Sequence, residues 1–263
     1  MDHYADERDF QILEGDRYTF FVLRRIMAEE CKLLLTDHER LIICHSSDPY
    51  PVWIWTPDEM SEEEKEKAYA LVKENGLLSE GHTINLKYGL AEYFISRSAG
   101  DAKNLSITTN MFAYDCPDPI EPDTRADGEL HRCVAEDLDE LVEFMDLFHK
   151  ETGIDREGRE AYRRKSEEAI KSGSHFFWKN TEGRNVSVCC LRPNGDLASV
   201  GLVYTRKEYR RKHYAENLVY QVTKMAKDDG YIPMLYTDAD YAASNACYEG
   251  IGYILRGKLC TIG

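Results

Sequence analysis

Residues 200–215 read VGLVYTRKEYRRKHYA, and this stretch decides the fold of the second half of the chain. Its first six residues are mostly aliphatic, β-branched or aromatic and predict a strand. Arg210, Arg211 and Lys212 then form a basic turn, and the segment after it has the spacing of an amphipathic helix that ends at Gly230. The apolar positions of this helix are Ala215, Leu218, Val219, Val222, Met225 and Ala226. The pattern predicts a strand, a basic turn and a helix in direct succession.

The start of this helix is a candidate anion site. A helix N-terminus presents N–H groups without intrahelical partners and a partial positive charge, and three basic side chains add to both. Together these features suit a pyrophosphate group. Taken alone, the same feature is equally well interpreted as a basic loop solvated at the surface.

A second motif, SNACYEGIGY at residues 244–253, follows a short predicted strand, MLYTDA. Asn245 and Tyr248 are three residues apart on the predicted helix and therefore share one face. A phenol beside a sulfur atom can protonate a departing thiolate as a general acid. Taken alone, Tyr248 is more simply interpreted as a buried structural tyrosine.

In this order the motifs resemble the acetyl-CoA signature of the GNAT N-acetyltransferase superfamily, in which an R/Q-x-x-G-x-G/A turn follows a strand and wraps a pyrophosphate. Arg210 matches the first position of that turn and Ala215 the last. His213 stands where a glycine is usual, and Arg211 where a glycine is frequent. Glycine tolerates a positive φ and lets phosphate approach the backbone closely, so these two departures bear on the geometry of the turn. The resemblance covers roughly residues 127–263, with its specific motifs inside residues 200–253.

The resemblance implies a role for each part of the motif. Backbone groups of residues 202–205 would pair with the pantetheine arm of acetyl-CoA, and one N–H would polarise the thioester carbonyl. The cofactor-binding residues so implied are Leu202, Val203, Tyr204, Thr205, Arg210, Arg211, Lys212, His213, Tyr214, Ala215 and Asn245. Tyr248 would be the catalytic acid. Gly201, inside the strand, indicates a bulge or a close approach of the backbone.

The activity implied is transfer of an acetyl group from acetyl-CoA to a primary amine, on a small molecule or a peptide, by direct attack in a ternary complex. The amine must lose a proton, and the base is left open between Asp238, Asp240, Glu151, His175 and a chain of waters. One alternative is a non-catalytic acyl-CoA sensor that keeps the cofactor site. A structural or interaction protein with a similar α/β layer is another.

The expected fold class is α/β (α+β), with a mixed, mainly antiparallel central sheet flanked by helices, as the GNAT resemblance implies. After residue 127 the predicted order is a helix from residue 135, a helix at about residues 156–171, three strands, helix, strand, helix and strand. Asn194–Gly195 predicts a hairpin that pairs residues 186–192 with residues 197–205 in antiparallel fashion.

Proline clustering predicts a domain boundary. Three of the eight prolines lie between residues 117 and 122, so residues 116–126 are expected to link an α/β domain at residues 1–115 to the GNAT-like domain at residues 127–263. The smaller domain would shape an acceptor pocket or bury a partner surface, and a degenerate copy of the same fold is one interpretation of it.

Local patterns inside the first domain predict several elements. PVWIW at residues 51–55 predicts a strand, and Ser61 with Glu64 forms a capping box for a helix that stops at Gly76. A helix at residues 86–97 and a strand at residues 106–114 follow.

Composition bounds the function. An apolar share of 43% permits a core, and a net charge of −15 argues against nucleic acid as a partner. No run of about 18 apolar residues occurs, and the acidic start is unlike a secretory leader, so no membrane contact and a cytoplasmic location are expected. The eight cysteines lack C-x-x-C pairs, and His38, His45 and His82 are isolated in sequence. Reduced thiols and no bound metal are therefore expected.

Overall fold

The structure is a computed structural model that describes residues 1–79, 81–99, 104–153 and 157–263. Its helices are α1 (Glu7–Ile12), α2 (Phe21–Met27), α3 (Glu62–Glu74), α4 (Tyr88–Ser98), α5 (Leu138–Thr152), α6 (Arg159–Ser172), α7 (Tyr214–Asp228) and α8 (Ala242–Gly250). Its strands are β1 (Leu33–Thr36), β2 (Ile42–His45), β3 (Val52–Trp55), β4 (Ile84–Leu86), β5 (Ile107–Asp115), β6 (Glu129–Arg132), β7 (His175–Lys179), β8 (Asn185–Asn194), β9 (Leu197–Thr205), β10 (Ile232–Asp238) and β11 (Ile254–Ile262).

The chain divides into two compact units. The N-terminal unit contains Met1–Tyr114, Thr237–Ala242 and Leu255–Gly263. The C-terminal unit contains Asp115–Tyr236 and Ala243–Ile254. The N-terminal unit is therefore built from both ends of the printed sequence.

The sheet of the N-terminal unit has the strand order β1-β2-β3-β4-β11-β5. The first three strands pair antiparallel, β4 runs parallel to β3, and β11 runs antiparallel to β4 with Cys260 opposite Leu86. The core on this sheet includes Ile43, Ile54, Tyr69, Val72, Ile84, Phe94 and Ile262, all nearly inaccessible to solvent. Strand β11 thus completes a sheet whose other strands come from the first 115 residues.

The sheet of the C-terminal unit has the order β10-β9-β8-β7-β6. Strands β6 to β9 pair antiparallel, whereas β10 runs parallel to β9. Helix α7 packs on β7, β8 and β9, and α5 packs on α6 and β9. Because most pairs are antiparallel and helices flank the strands, the predicted mixed sheet is confirmed.

Two series of elements along the chain have the same order. Two helices, three antiparallel strands, a crossover helix, a parallel strand, a helix and a strand follow one another from α1 to β5, and again from α5 to β11. The crossover helix is α3 in the first series and α7 in the second. The first half of the chain therefore repeats the order of α/β elements found in the second half, although the last strand of the second series, β11, lies in the N-terminal unit.

Several local predictions are confirmed at the residue level. Ser61 caps α3 and makes a capping box with Glu64, and Gly76 follows the helix with φ +71°. Strand β8 pairs antiparallel with β9, but the two loop residues are Gly195 and Asp196, one position later than predicted, because Asn194 still pairs with Leu197.

Other predictions need correction. Helix α4 begins at Tyr88 rather than at residue 86, since Leu86 ends strand β4, and β6 was not predicted. Helix α6 begins at Arg159, and Arg156, the predicted start, lies outside the described residues. In the described part of the chain, no helix has the length and apolarity needed to cross a membrane.

The segment expected as a linker, residues 116–126, lies in the C-terminal unit and is hydrogen-bonded to it. The N–H of Cys116 donates to the carbonyl of Pro233, and the N–H of Ile120 donates to that of Ile251. The side-chain amide of Asn217 on α7 donates to the carbonyl of Thr124 at 2.9 Å. These bonds fix the path of the segment along the unit.

His38 is isolated in the sequence, a pattern more typical of a surface or capping residue. In the structure it instead lies in a cluster of carboxylates, and only 5% of it is exposed. Its Nδ1 lies 2.7 Å from Asp9 and its Nε2 lies 2.8 Å from Asp2. Thr36 donates to the other oxygen of Asp9. Burial opposes protonation of the ring, but the bonds to Asp9 and Asp2 outweigh it and raise the pKa of His38.

We expect this cluster to make stability depend on pH. A raised folded-state pKa stabilises the fold fully below the unfolded value of about 6.5, and the contribution is lost as the pH rises through the folded-state pKa. The free energy of unfolding, from urea titrations between pH 6 and pH 9, should therefore fall more steeply for the native chain than for His38→Asn. Asparagine suits the positive φ of 60° at this position. A constant difference between the two proteins across this range would show that the ring is not protonated in the fold.

Candidate functional site

Strands β9 and β10 separate after a short paired stretch. Among the described residues, their parallel pairing joins only Ile232–Met234 to Leu197–Ser199. Strand β9 nevertheless continues to Thr205. In the part of the chain that the structure describes, the second half of β9 therefore has one edge that pairs with no neighbouring strand.

A β-bulge lies in that second half of β9. Val188 pairs with Tyr204 and Cys190 with Gly201, so two residues of β9 face one residue of β8. Leu202 takes up the irregularity with φ +51°. Gly201 indicated a bulge in the sequence, and the structure places it beside the residue that has the positive φ.

The backbone groups on the free edge can be assigned from the bonds on the opposite edge. The carbonyl of Tyr204 accepts from the Ser187 hydroxyl, and the N–H of Arg206 donates to Val186, so both groups face β8. Because alternate residues of a strand present their backbone groups to opposite edges, Val203 and Thr205 face away from β8. An extended ligand could pair with them as a strand does.

Two residues of the basic turn have a backbone conformation that favours glycine. Arg211 has φ +62° and His213 has φ +60°, both in the left-handed region. Such a conformation costs a residue with a side chain roughly 1–2 kcal/mol. His213 also contacts Glu216 through Nδ1, at 2.7 Å from Oε2. The geometry is thus kept without glycine.

The N-terminus of α7 lies open where the turn ends. Within the described residues no side chain caps this helix, whose N-cap position is His213. Helix α3, at the equivalent place in the N-terminal unit, closes its own N-terminus with Ser61 and Glu64. Since uncapped N–H groups and the helix dipole attract anions, α7 rather than α3 is the candidate anion site.

The basic side chains of the turn are held in different ways. Arg210 donates to Glu151 at 2.7 Å and to the carbonyl of Thr205 at 3.1 Å, and its guanidinium lies over the ring of Tyr204. Lys212 is exposed, with its amine 5.4 Å from the centroid of Tyr209. The turn therefore has one cation held by hydrogen bonds, Arg210, and two exposed cations, Arg211 and Lys212, near the helix start.

Tyr214 has a structural side chain. Only 5% of it is exposed, and its hydroxyl donates to Asp127 at 2.5 Å. Burial and this hydrogen bond raise the pKa of Tyr214 to about 12. Its backbone N–H, in the first position of α7, is the group that can face an anion. Cofactor binding by Tyr214 therefore stays a prediction, and it concerns only the backbone of this residue.

Asp127 organises this region and was not predicted. One carboxylate oxygen accepts from Tyr214, and the other accepts from the N–H and the hydroxyl of Thr181. The Asp127 carbonyl accepts from the indole of Trp178 at 2.7 Å. Gly128 follows with φ +94°, and a Cβ there would lie 2.0 Å from the carbonyl oxygen of Lys179. The Asp-Gly pair was the available sequence signal, because it marks a tight turn.

Helix α8 carries Asn245 and Tyr248, as predicted. Asn245 is half-buried, whereas 6% of Tyr248 is exposed. The ring of Tyr248 packs against Tyr253, with centroids 6.0 Å apart. Tyr253 is in turn bonded to Thr223 on α7 at 2.7 Å, and burial raises its pKa well above the ordinary value. Tyr248 thus belongs to the same unit as β9 and the basic turn.

Each side chain considered as a base already has a partner or is buried. Glu151 accepts from Arg210, Asp240 accepts from the amide of Asn110, and Asp238 accepts from the N–H of Asp240. His175 is 2% exposed, and burial lowers its pKa to about 3. A buried, weakly basic imidazole is a poor acceptor for the proton of an external amine.

The N-terminal unit contains a cavity of about 920 Å³ beside the start of α3. Its lining includes Lys87, whose amine lies 2.7 Å from both Asp16 and Asp58. In the described part of the chain, this cation is paired with two carboxylates and α3 is capped, in contrast to the uncapped start of α7.

Comparison with known proteins agrees with this geometry. Residues 138–253 match the model of the acetyltransferase (GNAT) family. A GNAT-family acetyltransferase from Colwellia psychrerythraea is similar in structure, with TM-score 0.62, 11% identity, and 99% of this chain and 98% of that chain covered. No curated protein sequence matches the chain.

Two further solved structures are similar. A GCN5-related N-acetyltransferase from Kribbella flavida has TM-score 0.61 and 13% identity, with 95% of each chain covered. One from Sphaerobacter thermophilus has TM-score 0.61 and 12% identity, covering 87% of this chain and 81% of that chain. At these identities the likeness shows a shared fold, and because it extends over both units, the N-terminal unit also fits a GNAT-like fold.

Proposed function

We propose that the protein transfers an acetyl group from acetyl-CoA to a primary amine, starting from the match of residues 138–253 to the acetyltransferase (GNAT) family model. The observation that carries the proposal is the free edge of β9, which leads through a left-handed turn to the uncapped start of α7. The free strand edge can pair with the amides of an extended ligand arm, and the helix start can bind a diphosphate.

Acetyl-CoA would bind along these backbone groups. The pantetheine amides pair with the outward-facing groups of Val203, and the diphosphate accepts from the N–H groups at the start of α7. Lys212 adds positive charge at the exposed rim, and Arg210 does so from its bond to Glu151. Asn245 on α8 is proposed to hydrogen-bond the pantetheine portion.

The reaction we propose needs no covalent enzyme intermediate. The lone pair of the amine attacks the thioester carbonyl carbon, and a backbone N–H of β9 stabilises the negative charge that develops on the oxygen. The carbon–sulfur bond then breaks, and Tyr248 donates its phenolic proton to the departing thiolate. The amine loses its proton to water, since the candidate basic side chains are paired or buried.

The acceptor we propose is a cationic small molecule or peptide that carries a primary amine. The net charge of −15 supports this choice, because an acidic protein attracts cations over a distance of about a Debye length. We also propose a cytoplasmic location, supported by eight cysteines that are all free thiols.

The test is the change in melting temperature that CoA produces. A ligand at about 100 times its dissociation constant adds about 2.7 kcal/mol to the free energy of unfolding, so CoA and acetyl-CoA should raise the melting temperature by several degrees. In Arg210→Ala/Lys212→Ala the dissociation constant should increase about tenfold or more, because two cations near the diphosphate are lost. The ligand-induced shift should shrink accordingly.

The control variant is Lys224→Ala. Lys224 is an exposed lysine near the far end of α7, bonded to Asp228 at 2.7 Å. Its replacement should leave the CoA-induced shift unchanged. The CoA-induced shift is the difference between the melting temperatures of one protein with and without CoA. It is therefore not affected by the stability that Arg210→Ala loses with the bond to Glu151. An equal shift in all three proteins would contradict the phosphate site. Absence of any shift in the native chain would contradict the proposed function.

A further inference from the structure

A second cluster of polar side chains lies in the N-terminal unit, away from the residues proposed for acyl transfer. His45 ends strand β2, Asp48 lies in the turn that leads to β3, and His82 lies just before β4. The two imidazole rings have centroids 5.5 Å apart at an angle of 75°. The two histidines are therefore neighbours in the fold, although their sequence positions had indicated isolated residues.

The three side chains converge on one point through single atoms. The Nε2 atom of His45 and that of His82 each lie 3.6 Å from the same oxygen, Oδ1 of Asp48. All three atoms lie within 4.8 Å of one another. Ligand atoms about 2.0–2.2 Å from a tetrahedral zinc ion are roughly 3.4 Å apart, which is close to the separations found here. The distances are too long for hydrogen bonds but suit a shared cation.

The Nε2 atom of His45 is buried and available as a ligand atom. The side chain is 1% exposed, and Nε2 has no hydrogen-bond partner among the described residues. The ring makes a hydrogen bond with the backbone of Tyr50, whose own N–H already donates to Ser47. A neutral imidazole that donates from Nδ1 to a backbone carbonyl has its lone pair on Nε2. A buried nitrogen aimed at a carboxylate without a hydrogen bond normally has a cause.

The outer contacts of the other two side chains are also those of metal ligands. The Nδ1 atom of His82 lies 3.1 Å from the hydroxyl of Ser79. Lys32 donates to Oδ2 of Asp48 at 2.5 Å, which leaves Oδ1 directed at the histidines. Hydrogen bonds to the far atoms of histidine and carboxylate ligands are the usual means of fixing their orientation.

We propose that His45, Asp48 and His82 bind one zinc ion. Two imidazole nitrogens and one carboxylate oxygen are a donor set that zinc prefers, with water completing a tetrahedron. Asp48 is 63% exposed, so an ion and its water can enter from solvent. The ion would join the β2–β3 turn to the start of β4 and so stabilise one end of the sheet.

A different cluster, formed by Asp6, Asp9 and His38, is not proposed as a metal site. Both ring nitrogens of His38 already lie within hydrogen-bond distance of carboxylates, at 2.7 and 2.8 Å. Unlike the cluster of His45, Asp48 and His82, this cluster has no ring nitrogen left to bind a metal ion.

The experiment measures zinc binding to the full chain after treatment with a chelator. Calorimetric titration with Zn²⁺ should give one site per chain, and Zn²⁺ should raise the melting temperature of the stripped protein. Co²⁺ in the same site should give the visible absorption of a tetrahedral ion. His82→Ala should weaken binding at least 100-fold, and Asp48→Asn at least tenfold, because each removes one ligand or its charge. His82 is half-buried, so its removal should leave the apo fold intact.

Two control variants address other donors. His3→Ala removes an exposed histidine outside the cluster, and Cys31→Ser removes the half-buried thiol next to Lys32. Both should bind Zn²⁺ as the native chain does. The proposal is overturned if the native chain binds no Zn²⁺, or if His82→Ala binds it unchanged. It is also overturned if Cys31→Ser rather than His82→Ala loses binding. Because the readout is metal binding and not acyl transfer, the result does not depend on the proposed function.

Discussion

Tyr248→Phe is expected to lower kcat for acyl transfer about 100-fold and to leave the dissociation constant of acetyl-CoA unchanged. General-acid catalysis contributes typically 10²–10⁴-fold, and loss of the phenol forces the thiolate to leave without a proton. The ring itself should stay in place, because Phe retains the packing against Tyr253 at 6.0 Å. Steady-state release of free CoA with an amine acceptor measures kcat, and calorimetry measures binding.

Tyr253→Phe is the matched control for this experiment. Tyr253 lies on the same segment, and its hydroxyl is bonded to Thr223 inside the fold. Its loss should lower the free energy of unfolding by about 1 kcal/mol, while kcat is retained. If Tyr248→Phe folds and turns over at the native rate, another group protonates the sulfur. If neither protein releases CoA with any amine, the sensor hypothesis is favoured over the enzyme.

Gly128→Ala is expected to lower the free energy of unfolding by about 3 kcal/mol, a large effect for one methyl group. Two causes add: Gly128 has φ +94°, and the new Cβ would lie 2.0 Å from the carbonyl oxygen of Lys179 and 2.7 Å from Cα of Asn180. Both contacts are backbone atoms, so no side-chain rotation can relieve them. The adjacent Asp127 must then move, and with it the bond that fixes Tyr214 at the start of α7.

Gly195→Ala separates the two causes. Gly195 has φ +62°, but a Cβ there meets no atom within 4 Å. This control should therefore lose only about 1 kcal/mol. Urea unfolding gives both values, and the CoA-induced shift should shrink in Gly128→Ala but not in Gly195→Ala. An equal loss of unfolding free energy in the two variants would mean that the backbone near Lys179 can move to accept the new Cβ. The position of Asp127 would then not depend on glycine at residue 128.

The features of this protein that could be predicted from its sequence are those determined by residues close together in the chain. The capping box of Ser61 and Glu64 and the left-handed glycine after α3 need only neighbouring residues, and both were found. The Asn194–Gly195 signal gave the hairpin but placed its loop one residue early, because pairing of Asn194 with Leu197 depends on the strands. The turn before α7 was identified although both of its glycines are missing.

The relations that sequence could not provide connect distant residues. Asp127 and Tyr214 are 87 positions apart, and no local pattern links them. His45 and His82 look isolated in the sequence, and only the parallel pairing of β3 with β4 brings the segments that carry them together. Burial of Asp9 against His38 likewise depends on the tertiary fold.

The position of β11 has a consequence for synthesis on the ribosome. This strand, residues 254–262, lies between β4 and β5, which are translated more than a hundred residues earlier. At a translation rate of roughly 5–20 residues per second, β11 is synthesised on the order of ten seconds after β4 and β5. During that interval their unpaired edges are exposed to other nascent chains. A premature stop codon near residue 254 would therefore harm the N-terminal unit more than the C-terminal unit, which is translated just before it.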